Sequence, residues 1–201
     1  MMKWRCSPAK AKIMEKRKLV NILPTNMRRS VQGYYLRKSQ ELKENAYSEY
    51  LIGNDEKAAK IFERASKRAN WADNLQEATD LLRLASNSYK DLGTKLQTEA
   101  VEQREMIMGE DDTRQITHVA KVFLQASSAF VLAADDLAKT GDSSFKIHQR
   151  GLLDRAQECI SDGPSIFWGS KWETAFHLQS AIKELELKNG LQNIVYPWPA
   201  N

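Results

Sequence analysis

Few side chains in this 201-residue chain are suited to acid–base or nucleophilic work. Only His118, His148 and His177 titrate near neutral pH without help from their surroundings. The sharpest pairing is Arg114-x3-His118, an i, i+4 spacing that sets a fixed cation and a proton-transfer group on one face of a helix. Glu110-Asp111-Asp112 offers three neighbouring carboxylates, but adjacent acids converge on one ion only in a special loop, and no calcium-loop glycine follows at the sixth position. Standing just before Thr113 and a long apolar-periodic stretch, these acids read as capping groups attracted to a helix N-terminus. Cys6 and Cys159 form neither a disulfide framework nor a paired metal-ligand spacing. The chain has no phosphate-cradling glycine loop, nucleophile elbow or His/Cys cluster. No metal and no cofactor are therefore expected, and nucleotide hydrolysis, zinc chemistry and acyl transfer find no support.

The elements that must position these groups are helical. Leu75, Ala78, Thr79, Leu82, Ala85, Ser86 and Tyr89 recur at three- and four-residue spacings, as do Val119, Val122, Phe123, Ala126, Phe130, Ala133 and Leu137. No proline stands between Pro24 and Pro164, and no run alternates long enough to predict a strand. Breaks are expected at Gly53-Asn54-Asp55, Asn70 to Asp73, Gly93-Thr94, Gly109 to Asp112, Gly141-Asp142 and Ser161 to Gly169. Ser170-x-x-Glu173 has the form of a capping box opening a last helix that ends near Asn189-Gly190. The fold class is thus all-α: about seven helices as stacked antiparallel hairpins, forming either a right-handed superhelix or an irregular bundle. A basic N-terminal arm covers residues 1–29, a helical-hairpin domain residues 30–190, and an extended aromatic strap residues 191–201, where Ile194-Val195-Tyr196-Pro197-Trp198-Pro199 cannot continue a helix. No uninterrupted apolar stretch approaches the roughly 18 to 20 residues of a membrane span, so no transmembrane segment is expected.

Charge is divided unevenly. Residues 1–38 carry eleven cations (Lys3, Arg5, Lys10, Lys12, Lys16, Arg17, Lys18, Arg28, Arg29, Arg37 and Lys38) against the single anion Glu15, a net of +10. The rest carry 19 cations against 25 anions, a net of −6. A basic segment on a mildly acidic body points to an anionic partner, whether nucleic acid, a lipid surface or an acidic protein face. Trp4, Ile13, Met14, Leu19, Val20, Ile22 and Leu23 are more apolar groups than a purely solvating tail carries, so the segment is expected to dock. A cytoplasmic location is expected. Import into an organelle is the alternative, favoured by an acid-poor, Arg-containing start and disfavoured by Pro8 and scarce serine. Only Trp4, Tyr34 and Tyr35 could stack on bases near these cations, which argues against sequence-specific single-strand recognition. Trp168, Trp172 and Trp198 cluster toward the C-terminus, either as interface anchors or as packing under the last helix.

The first hairpin carries a pattern, Tyr50-x-x-Gly53-x4-Ala58-x3-Phe62-x-x-Ala65, that resembles the tetratricopeptide repeat: glycine for the turn, alanines for close helix approach, aromatics between. The resemblance covers residues 39–72. Beyond them the pattern departs, with Ala100 out of register after Gly93, and Lys146 and Arg150 at the apolar positions after Gly141. The longer, irregular hairpins look like the layers of soluble NSF attachment proteins in architecture. This resemblance implies a helical-repeat scaffold: a non-catalytic interaction or assembly subunit of a larger complex, with a protein partner for the body and an anionic partner for the arm. Arg114-x3-His118 in turn resembles the Arg and His motif of HEPN ribonucleases, with a shorter spacing than that family's. It implies the alternative of a metal-independent ribonuclease in which His118 is the general acid or base and Arg114 stabilises phosphate charge.

Overall fold

The computed structural model describes residues 20, 22–107, 113–163, 168–192 and 194, with side chains omitted for residues 168–172. Among them there are six α-helices and no strand: α1 Thr25–Leu51, α2 Asp55–Trp71, α3 Leu75–Ile107, α4 Thr113–Thr140, α5 Lys146–Asp162 and α6 Trp168–Asn189, with a 3-10 turn at Ser143–Phe145. The expected acid cluster Glu110-Asp111-Asp112, the cations from Lys3 to Lys18, and the strap apart from residues 191, 192 and 194, Trp198 included, lie outside the described residues. The chain divides into two compact units, up to Ala85 and from Ser86 on. The division falls inside α3, where no composition shift marks it.

In the first unit, α1 and α2 form a hairpin. Gly53 takes a left-handed conformation (φ 83°), and the Asn54 and Gly53 amides bond back to the Glu49 and Tyr50 carbonyls, closing α1 with a Schellman turn. Asp55 and Glu56 in the first turn of α2 and Arg68 in its last complement the helix dipole. Asp73 (φ 61°) closes α2 in the same way, through Asn74 to Ala69 and Asp73 to Asn70. Ala46, Ala58, Phe62, Ala65, Ala69, Ala78, Leu81 and Ala85 build the core of this unit. With so many alanines, the helices approach closely: Ser39 Oγ donates to the Ala65 carbonyl at 2.9 Å and Ser66 Oγ to that of Ala78 at 2.8 Å. Leu75, assigned by periodicity to the buried stripe, is exposed at the first residue of α3, and Leu81 fills the core instead. Helix α1 begins at Thr25, so Arg28, Arg29, Arg37 and Lys38 belong to a helix and not to a detached arm.

In the second unit α4 is the central helix, with its predicted stripe from Val119 to Leu137 buried. It packs on α5 and α6. The small-residue run serves packing: Ala126, Ser127, Ala129, Ala133 and Ala134 are all buried. Helix α4 is long and apolar enough to cross a membrane by length and composition, and 56% of its most apolar window is buried, as in a core helix. The expected break at Gly93-Thr94 is absent, because α3 runs unbroken from Leu75 to Ile107. This accounts for six helices where about seven are predicted. Gly93 is there for space: a Cβ at this residue would meet the Phe130 ring at 2.9 Å. Arg155 also packs on that ring, with its guanidinium 4.2 Å from the ring centroid and bonded to Thr94 Oγ1 and Gln97 Oε1 at 3.1 and 2.7 Å. Arg150 joins α5 to α6 through Glu186 at 2.6 Å. The last helix starts at Trp168, two residues before the expected capping serine, and ends at Gly190 (φ 64°) as expected.

Candidate functional site

Two places gather the residues singled out by the sequence. The first is the open end of the α1/α2 hairpin, opposite the Gly53 turn. Because the two helices run antiparallel, Tyr35 of α1 lies beside Trp71 at the end of α2, and the first ten residues of α1, Arg28 and Arg29 among them, extend past it. Residues 25–38 hold Arg28, Arg29, Arg37 and Lys38, and residues 64–71 hold Arg64, Lys67 and Arg68, with no carboxylate in either stretch. The intervening residues 39–63 hold six carboxylates against three lysines. The hairpin is therefore polarised along its length, cationic at its open end and anionic toward its turn. Arg29, Arg37, Lys38, Arg64 and Lys67 are exposed, while Arg28 and Arg68 are half-buried. Glu41 lies 2.6 Å from Lys38 Nζ and, by hydrogen bond first and charge second, holds the lysine pKa above its ordinary value.

An aromatic chain crosses this cationic end. Tyr34 stands edge-on to Tyr35 with centroids 5.5 Å apart, and Tyr35 edge-on to Trp71 at 5.2 Å. The Arg68 guanidinium lies 4.5 Å from the Trp71 ring centroid and 5.8 Å from that of Tyr35. Sequence reading found Tyr34 and Tyr35 but missed Trp71 and the three cations of α2. The signal was present: Arg64 to Trp71 contains no acid, and folding the chain at Gly53 sets Trp71 and Tyr35, each 18 residues from that glycine, side by side.

The second place is a cavity of about 320 Å³ lined by Gln103, Met106, Ile107, Arg114, Gln115, His118 and Val119. The structure thus brings Arg114 and His118 to one cavity, both on exposed residues of the first turns of α4. No carboxylate is among its described lining residues. His148 and His177 are exposed on α5 and α6 and line no part of it; His177 lies 3.7 Å from Glu173. Cys159 is buried on α5, and burial, opposed by Arg155, pushes its thiol up to about 12, which is the reverse of an activated nucleophile. Among the described residues no group of three His, Cys, Asp or Glu could hold a metal ion. Of the repeat-pattern residues, Ala58, Phe62 and Ala65 are buried between the helices and Tyr50 is exposed beside Gly53. Trp168 and Trp172 fall in the first turns of α6.

No protein family, curated protein or solved structure matches this chain.

Proposed function

We propose that this protein is a non-catalytic adaptor: a body of helical hairpins, tetratricopeptide-like in its first unit, that holds a protein partner within a larger assembly while its basic N-terminal part engages an anionic partner. The observation that carries the reading is the polarised α1/α2 hairpin. Arg37 and Lys38 are held on α1 beside Arg64, Lys67 and Arg68 of α2, with Arg28 and Arg29 further along α1. The fold concentrates positive charge, and a focused field of one sign draws in partners of the other. The Gly53 turn, the buried Ala58, Phe62 and Ala65, and the serine-to-carbonyl bonds between helices support the repeat-like character of the body. A cytoplasmic site of action fits a chain with a buried free thiol at Cys159.

The test is affinity against salt for an anionic polymer, using the full chain and a variant in which the seven cations before residue 19 are changed to glutamine. If about six cations of the chain reach phosphates, log affinity falls against log salt with a slope of roughly −5 on a duplex. The variant should show a shallower slope and unchanged helical content. A flat salt response in the unaltered chain would remove the reading.

The shared cavity of Arg114 and His118 favours a second reading, metal-independent cleavage of RNA, in which His118 moves the proton and Arg114 meets the phosphate. His118→Ala would abolish such cleavage. Equal activity, or none, in both forms would eliminate this alternative.

A further inference from the structure

We propose that the open end of the α1/α2 hairpin is a binding face for single-stranded nucleic acid, with a base stacked on Tyr34 and phosphates held by Lys38, Arg64 and Arg68. This rests on the anionic-partner reading and names its chemistry.

Three observations converge on that face. The first is direction. Lys43 Nζ reaches Glu77 on α3 at 2.9 Å, and Ser66 Oγ reaches the Ala78 carbonyl, so both residues mark the side of the hairpin turned toward α3. Tyr34 precedes Lys43 by nine residues, two and a half helical turns, and therefore points the opposite way. Arg64 and Arg68, two residues to either side of Ser66, also point away from α3. Tyr34, Arg64 and Arg68 thus share the outer face of the hairpin, and Lys38, one turn after Tyr34, joins them together with its ion-pair partner Glu41, from which a phosphate would draw it.

The second is the state of the aromatic group. Tyr34 is 50% exposed, so its ring remains open to a ligand, while its edge-on contact with Tyr35 and the Tyr35–Trp71–Arg68 stack behind it limit its freedom. A ring held in place loses little entropy on stacking. The exposed Met27 lies two turns before Tyr34 on the same face of α1.

The third is the combination itself. A backbone-tracking row of cations beside an exposed, braced aromatic is the arrangement that sequence-tolerant single-strand binding uses, because every unpaired base offers a π-face. A duplex keeps those faces inside its stack and gains nothing from Tyr34. A lipid surface also accommodates exposed aromatic side chains, and the vesicle arm of the experiment separates it from a single strand.

The experiment is fluorescence anisotropy with a labelled 20-nucleotide oligouridylate, a labelled duplex of equal length and phosphatidylserine vesicles, using the full chain, Tyr34→Ala, Tyr34→Phe and the double variant Arg64→Ser/Arg68→Ser. The expected result is tighter binding of the oligouridylate than of the duplex, and a loss of about tenfold for the single strand alone in Tyr34→Ala, the value of one stacked base. Tyr34→Phe keeps the ring and should bind as the unaltered chain does. The double variant should lower the salt slope on the single strand by about 1.4. Unchanged single-strand affinity in Tyr34→Ala, or an equal loss on the duplex, would overturn the inference. Vesicle binding without oligonucleotide binding would overturn it too while leaving the anionic-partner reading in place, and failure to bind all three would remove both.

Discussion

Lys139 illustrates how a surface cation can depend on the interior. Its Nζ lies 2.6 Å from Asp136 Oδ1 and 2.9 Å from Asp135 Oδ2, and Asp136 is fully buried. Burial works against the lysine charge, but the two carboxylates outweigh it and hold the pKa well above the ordinary 10.5. A group whose pKa is raised by folding stabilises below its unfolded value, and that contribution fades as pH rises past 10.5 toward the folded value. Removing one partner of a fully buried pair costs about 3–5 kcal/mol, but with the lysine head 38% exposed a figure of about 1–3 kcal/mol is expected for Lys139→Met at pH 8. Urea denaturation at pH 8 and pH 11.5 checks this: the gap between the two proteins should narrow at the higher pH, and a constant gap would show that the ion pair is not its source. Gly93 presents the opposing case, a residue kept for what it lacks. Alanine gains about 1 kcal/mol in a helix interior, yet its methyl would press on a ring already held by Arg155, and overpacking costs about 1–3 kcal/mol. Gly93→Ala should therefore lower thermal stability, and Phe130→Leu added to it should restore part of the loss. A stabilised Gly93→Ala would contradict the packing assigned to Phe130.

Consecutive helices are tied by one repeated device. Ser39 of α1 donates to Ala65 of α2, Ser66 of α2 to Ala78 of α3, and Ser86 of α3 to Ala133 of α4, each at 2.8–2.9 Å and each buried. Every bond pairs a small donor with the backbone of an alanine, which requires the helices to lie close. Each accepting carbonyl sits within a helix, so Ser→Ala at any of the three should cost only about 0.5–1.5 kcal/mol; no partner is shared, and the one close approach is between Ala65 and Ser66, adjacent in α2, so the three costs should come near their sum. Denaturant titration of the single and triple variants would show this; a triple variant far less stable than the sum would mean the bonds act as one network. The helices themselves were legible in the sequence. The stripe from Val119 to Leu137 and the turns at Gly53, Asp73, Gly141 and Gly190 appear where apolar spacing and punctuation set them. Gly93 was misread because a glycine that ends a helix and a glycine that admits a neighbouring ring look alike along one strand of text. Their difference lies in Phe130, 37 residues away.

At the scale of the whole molecule, sequence revealed half of the candidate interface. The excess of cations before residue 39 is visible by counting, and so are Tyr34 and Tyr35. Arg64, Lys67, Arg68 and Trp71 were hidden within a body that is acidic on average, and only antiparallel pairing of α1 with α2 sets them beside Tyr35, Arg37 and Lys38. Cutting the chain after Lys38, which the charge profile invites, would divide α1 just before the buried Ser39 and remove Tyr35 from Trp71. The central claim is that the anionic partner is met by a surface assembled from two helices. The measurement that tests it most directly is the salt dependence of oligouridylate affinity for two variants: Lys38→Ser/Arg64→Ser/Arg68→Ser at the open end and Lys57→Ser/Lys60→Ser near the turn. The account predicts a slope shallower by about 2 in the first variant and unchanged in the second. Equal slopes in both variants, or a larger change in the second, would contradict it.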